Sequence, residues 1–131
     1  MQKKPDPPYP ELARKPPRSF GWIDDRLRRE DWLSRMGPHA TSVYVLLVMA
    51  ADRTGSSYYG RELMARSTGL TRHEIDSALE RLLSLALVAH KPWRPGHVDG
   101  VWQLLPISKP HDRDRSGPMN LGEAIAKLTV G

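Results

Sequence analysis

The sequence predicts a mainly α-helical domain with a small β-hairpin, flanked by a flexible basic N-terminal arm and a short C-terminal helix. Apolar residues recur at helical spacing through much of residues 38–85. Two short apolar runs then flank a stretch rich in proline and glycine, a pattern typical of a hairpin with a long loop. A chain of 131 residues has room for one such domain and its tails.

The composition favours an anionic partner, because 20 Lys and Arg against 15 Asp and Glu give a formal net charge of +5. The lack of cysteine excludes disulfides and thiolate metal sites, and it fits a reducing compartment. The N-terminus has no apolar stretch of the signal-peptide type. The longest apolar run, residues 43–51, is far shorter than the ~20 residues that span a bilayer. We therefore expect a cytoplasmic protein without membrane contact.

The chain divides into an arm, a domain, a linker and a terminal helix. Residues 1–18 hold six prolines and five basic against two acidic residues, a composition typical of disorder. Residues 19–105 form the predicted domain, and residues 106–118 form the linker.

Residues 119–131 are predicted to contain a short amphipathic helix, because Leu121, Ile125 and Leu128 fall on one stripe. About ten residues are too few for a helix to persist alone in water. We expect it to dock on its own domain, on a second copy of the chain or on a partner protein; in the alternative interpretation it is frayed and has no role. A homodimer is therefore one possible assembly.

The first half of the domain is predicted to be helical after a short extended segment at residues 19–23. Residues 24–36 carry a short helical stripe. A long helix over residues 38–53 opens on Pro38, whose missing N–H costs nothing in a first turn. Because residues 43–51 are apolar nearly all round, this helix is predicted to be buried centrally.

The second half is predicted to hold a short strand, two helices and the hairpin. The strand covers residues 56–59, and a second helix covers residues 60–67 with Leu63 and Met64 facing inward. A third helix over residues 71–85 places five apolar residues at helical spacing: Ile75, Ala78, Leu79, Leu82 and Leu83. The hairpin strands lie at residues 87–90 and 101–105, around a loop at 91–100.

The junction of the second and third helices carries the most specific motif. Ala65 suits a close helix crossing, and Gly69 suits a turn that needs positive φ. Thr71 and Glu74 have capping-box spacing, which predicts the start of the third helix. Three apolar residues would lock the two helices together: Leu70, Ile75 and Ala78.

This pattern resembles the helix-turn-helix of bacterial winged-helix proteins, and the resemblance covers about residues 38–105. Within that superfamily the chain is similar to modules of replication initiators and mobile-element accessory proteins. The resemblance implies a winged helix-turn-helix fold and binding to double-stranded DNA. It implies a role in transcription regulation, or in replication or transposition of a mobile element. One position departs from the family's pattern: Ala86 stands where glycine usually closes the third helix. A left-handed alanine costs about 1 kcal/mol, which favours a different helix end.

In such proteins the third helix lies in the major groove. Its predicted DNA-facing residues are Arg72, His73, Asp76, Ser77 and Arg81. Arg72 suits guanine, Ser77 a base or phosphate, and Asp76 a cytosine amino group. Residues 71–83 nevertheless carry two arginines against three acids, so a plain solvated helix face remains the alternative.

The hairpin loop, or wing, is predicted to contact phosphates or the minor groove. Its candidates are Lys91, Trp93, Arg94 and His97, with Arg94 foremost. In the alternative interpretation Trp93 packs on its own domain. Arg61 and Arg66 would position the DNA backbone. The arm would add a salt-sensitive attraction through Lys3, Lys4, Arg14, Lys15 and Arg18.

The sequence does not predict an enzyme, a metal site or a cofactor. None of the five histidines pairs at a metal-ligand spacing, and no nucleophile or phosphate-loop motif is present. The rival to DNA binding is a protein-interaction module, in which the same fold and the C-terminal helix dock on a nucleoprotein complex. The acidic third helix favours that rival, and the basic arm and wing favour DNA.

Overall fold

The computed structural model describes residues 4–107, which form a mainly helical structure with a small three-stranded antiparallel sheet. Lys3 and the predicted C-terminal helix, with Leu121, Ile125 and Leu128, lie outside the described residues, as does most of the predicted linker. The elements in chain order are α1 (Arg26–Arg29), α2 (Trp32–Ala50), β1 (Ser56–Ser57), α3 (Arg61–Thr68), α4 (Arg72–Ser84), β2 (Val88–Pro92) and β3 (Gly100–Leu104).

The helix α2 is two helical pieces joined at a kink. Gly37 has φ 79° and ψ 170°, outside the helical region, and Pro38 opens the second piece. The inward face buries seven residues: Trp32, Met36, Ala40, Val43, Tyr44, Leu47 and Val48. The prediction of a helix without a solvent-facing side is wrong, because Met49 is 66% exposed. The helix also ends at Ala50, earlier than predicted.

The corner between α3 and α4 confirms the predicted local chemistry. Gly69 adopts φ 78°, and its amide donates to the Ala65 carbonyl at 2.9 Å. Thr71 Oγ1 accepts from the Glu74 amide at 3.1 Å, while Glu74 Oε1 accepts from the Thr71 amide at 2.9 Å. On α3, Met64 is buried as predicted, but Leu63 is 40% exposed.

The end of α4 corrects the expectation at Ala86. This residue does adopt the left-handed conformation, with φ 57°. Its amide donates to the Leu83 carbonyl, and the Leu87 amide donates to the Leu82 carbonyl, both at 3.0 Å. These two bonds form a Schellman motif with alanine in place of glycine. Because Ala86 and Leu87 are both buried, the hydrogen bonds and the packing offset the backbone strain.

The strands are arranged in the order β1-β3-β2, and both pairings are antiparallel. His90 lies opposite Trp102, and Lys91 lies opposite Val101. Gly100 begins β3 in tight contact with β2, since a Cβ at this position would clash with the Lys91 carbonyl oxygen. The first hairpin strand is one residue longer than predicted and ends two residues later, and the second keeps its predicted length but begins one residue earlier. The loop between them therefore spans residues 93–99 rather than 91–100.

The core lies between α2, α4 and one face of the sheet. It includes Trp32, Ile75, Leu82 and Trp102, and it also includes Ile107, two residues beyond the predicted end of the domain. Residues 4–18 of the arm are exposed, with a single 3₁₀ turn at Pro10–Leu12. No helix within residues 4–107 is long and apolar enough to cross a membrane.

Candidate nucleic-acid interface

The two faces of α4 divide as the helical spacing predicts. Ile75, Ala78, Leu79 and Leu82 are each at most 3% exposed and pack in the core. The opposite face presents Arg72, His73, Ser77, Glu80 and Arg81 as exposed side chains, with Asp76 half-buried among them. Four of the five residues predicted to face DNA from this helix are therefore exposed.

Arg61, at the start of α3, connects α4 to the hairpin loop. Its Nη1 donates to Asp76 Oδ1 at 2.6 Å. Its Nε lies 3.7 Å from Asp99 Oδ1, the same oxygen that accepts from the Arg61 amide at 3.1 Å. The Arg61 side chain is only 16% exposed. The outward side of α4 and the last residue of the loop thus meet at one guanidinium.

This bridge bears on the predicted role of Arg61. The guanidinium lies between two carboxylates of its own chain, a partly buried arrangement that is stronger than an exposed ion pair. Arg66 lies later on the same helix and is exposed. Contact of either arginine with a DNA backbone stays a prediction.

The acidic residues of α4 are largely engaged within the protein. Asp76 pairs with Arg61, and Glu74 both completes the capping box and lies 3.1 Å from His39 Nε2 on α2. The Thr71 amide, which donates to Glu74, is the main cause that holds the pKa of that carboxyl below its ordinary value. In the part of the chain that the structure describes, Glu80 has no ion pair. The exposed charged side chains on the outward face of α4 are Arg72, Glu80 and Arg81.

The loop between β2 and β3 is closed by its own backbone. The Trp93 amide donates to the Asp99 carbonyl at 3.1 Å, and the His97 amide donates to the Arg94 carbonyl at 2.9 Å. Gly96 takes φ 78° at the tip. The Asp99 amide donates to His97 Nδ1 at 3.3 Å, so the His97 ring also supports the turn. Lys91, Arg94 and His97 are all exposed.

Trp93 lies across the surface rather than in the core. Its ring stacks on Tyr58, with centroids 6.2 Å apart and planes 9° from parallel. The two side chains are 55% and 59% exposed. Trp93 therefore rests on its own domain, as the alternative interpretation has it, and still offers more than half of its surface to solvent.

Three side chains near this face were not identified from the sequence. Asp99 anchors the loop, His39 pairs with Glu74, and His90 stacks on Trp102 at a centroid distance of 4.0 Å. Burial lowers the pKa of His90 and keeps the ring neutral. Asp99 lies 38 residues from Arg61, so no local spacing rule relates them.

No protein-family model, no curated protein and no solved structure matches this chain.

Proposed function

We propose that this chain is a winged helix-turn-helix protein that binds double-stranded DNA. In this proposal α3 and α4 are the helix-turn-helix, α4 enters the major groove, and the loop at residues 93–99 is the wing. The observation that carries the proposal is the Arg61 bridge, which brings the exposed face of α4 and the base of the loop together on one side. A continuous surface of helix and wing is what a winged helix needs to meet one duplex.

The charge of that surface supports the proposal once internal pairs are considered. The sequence alone gives residues 71–83 an acidic balance, but Asp76 pairs with Arg61, and the Glu74 carboxylate is occupied by the capping box and by its contact with His39. Arg72 and Arg81 then outnumber Glu80 on the outward face. The hairpin adds two exposed cations, Lys91 and Arg94, and one carboxylate, Asp99, which shares Arg61 with Asp76. Duplex phosphates attract such a surface.

Each residue has a proposed role that follows from its position. Arg72 and His73 lie in the first turn of α4, where a helix in the major groove meets base edges. Ser77 and Arg81 lie further along the same face. Lys91, Arg94 and His97 contact phosphates, Trp93 covers sugar or base edges beside them, and Arg66 contacts the backbone. Action in transcription, or in replication or transposition of a mobile element, is proposed on the sequence resemblance.

The test is binding of the full chain to random-sequence duplex DNA, measured by fluorescence anisotropy at several salt concentrations. We expect binding at low salt and a steep loss as salt rises. Arg94→Gln should weaken binding and lower the salt slope by about 1, as expected for one lost phosphate contact.

The matched control is Arg28→Gln, which removes one positive charge from α1, an element outside the proposed surface. Arg28→Gln should leave the slope unchanged. Equal effects of the two variants on affinity and salt slope would show that overall charge, rather than contact by the wing, accounts for the binding. Absence of binding at low salt would refute the proposal and favour the protein-interaction module.

A further inference from the structure

A groove of about 780 Å³ opens on the molecule away from the α4 face. It lies between the segment before α1, the end of α2, the turn before β1 and the residues that follow β3. Its apolar lining includes Phe20, Trp22, Tyr44, Val48, Leu105 and Ile107. A groove of this size is within the range of ~300–1,000 Å³ that encloses a bound organic group.

The segment before α1 forms the outer wall of the groove, and it packs closely against α2 at Gly21. A Cβ at Gly21 would lie 2.7 Å from the Val48 carbonyl oxygen, so the segment can approach α2 only because glycine has no side chain. On either side of this contact, Phe20 is 66% exposed and Trp22 is 77% exposed. Two large aromatic side chains thus border an open groove whose lining is mainly apolar and also includes Asp24, Arg26, Asp52 and Arg53. Exposed aromatics beside such a groove mark a binding surface.

The described chain ends inside this groove. Ile107 lines it and is 5% exposed, and residues 108–131 follow directly. Residues 119–130 contain one Glu and one Lys and therefore have no net charge. Their sequence places Leu121, Ile125 and Leu128 on one stripe at helical spacing.

We propose that residues 119–130 of the same chain occupy this groove, with that stripe against Phe20 and Trp22. The groove supplies the packing partner that a helix of this length requires, and the stripe covers the exposed aromatics. Residues 108–118 are 11 in number and can span at most about 36–40 Å, enough for the chain to turn back from Ile107.

The tether favours the chain's own segment over that of a second copy. A short linker gives an attached segment an effective concentration in the millimolar range, far above that of a free protein. Because the linker begins at the wall of the groove, the segment starts close to its site. This inference does not depend on DNA binding, since the groove and the α4 face share no residue.

Disulfide trapping in the full chain tests the proposal, because the native sequence has no cysteine to interfere. The test variant combines Phe20→Cys with Ile125→Cys. The control combines Leu63→Cys, on exposed α3 surface, with the same Ile125→Cys. Under mild oxidation at dilute concentration, we expect the test pair to form an intramolecular disulfide several-fold faster than the control pair. Mass spectrometry identifies the linked peptides.

Two outcomes would overturn the inference. Equal rates for the two pairs would mean that the segment has no preference for the groove. A disulfide between chains, with a yield that rises with protein concentration, would assign the groove to a second copy.

The alkylation rate of a single cysteine provides a second test, which stays informative if the double-cysteine variants disturb the fold. Phe20→Cys alone should be alkylated slowly in the full chain, because the docked segment covers it. Adding Ile125→Asp should raise the alkylation rate several-fold. Adding Ala126→Asp introduces the same additional negative charge on the opposite helical face and should leave the rate slow. Equal rates in all three proteins would contradict the proposal.

Discussion

The α3–α4 corner and the β2–β3 loop are both tight turns, yet they are held in different ways. At the corner, the hydrogen bonds join residues three or four positions apart: Gly69 to Ala65, and Thr71 to Glu74. The loop also depends on distant residues, because Asp99 accepts from the Arg61 amide 38 residues away. The corner is held by hydrogen bonds within its own segment, whereas the loop combines local hydrogen bonds with an anchor on α3.

This difference predicts that single changes at the base of the loop are the more damaging. Gly100→Ala would place a methyl group against the Lys91 carbonyl, and the two strands would have to separate. We expect a loss of about 3 kcal/mol in the free energy of unfolding, measured by urea denaturation. The control is Gly96→Ala at the loop tip, where a Cβ meets no atom within 4 Å. That change should cost only about 1 kcal/mol of backbone strain. Similar losses of unfolding free energy in both variants would show that the tight contact between the strands at Gly100 is not the cause.

The long-range anchor can be broken without crowding. Asp99→Ala removes the acceptor of the Arg61 amide and one of the two carboxylates beside its guanidinium. We expect a loss of about 2 kcal/mol, again from urea denaturation, because a partly buried donor is left without a partner. Asp25→Ala breaks exposed ion pairs on α1 and should cost clearly less than Asp99→Ala, because solvent screens those pairs. If Asp25→Ala were as costly, the bridge would be no stronger than an ordinary surface pair.

The corner provides the smallest expected effect, and it depends on pH. The pKa of Glu74 is lowered in the folded protein, so its contribution to stability is present above the ordinary value of 4.5 and is lost as pH falls below it. Glu74→Gln removes the titrating carboxyl and retains the cap geometry. The fall of the melting temperature as pH drops below 4.5 should therefore be smaller in this variant than in the native chain. Glu80→Gln, on the same helix, should leave the fall of the melting temperature at acid pH unchanged. If both variants reduced the acid-induced fall of the melting temperature equally, the Glu74 carboxylate would not be its cause.

The same contrast explains what the sequence could predict. The three main helices, the glycine turn and the capping box follow from local spacing, and they are confirmed. Burial of Met49 and Leu63 was predicted from residue type, but exposure depends on which neighbours pack against each helix. The left-handed Ala86 depends on buried packing around it, and Ile107 joins the core through contacts that no linker composition indicates. At the candidate site, the outward residues of α4 were predictable from periodicity. The contacts of Asp76 with Arg61 and of Glu74 with His39 were not, because both partners are remote in sequence.

Asp76 and Asp99 share a single arginine, and this limits what the arginine can do. If Arg61 turned outward to a phosphate, it would leave two negative charges behind, one on the helix and one at the base of the loop. Both charges would repel the phosphate that drew the arginine away. A phosphate contact at Arg61 and a fixed loop are therefore competing states of one side chain, so a duplex is held more favourably by the neighbouring cations while Arg61 stays in place.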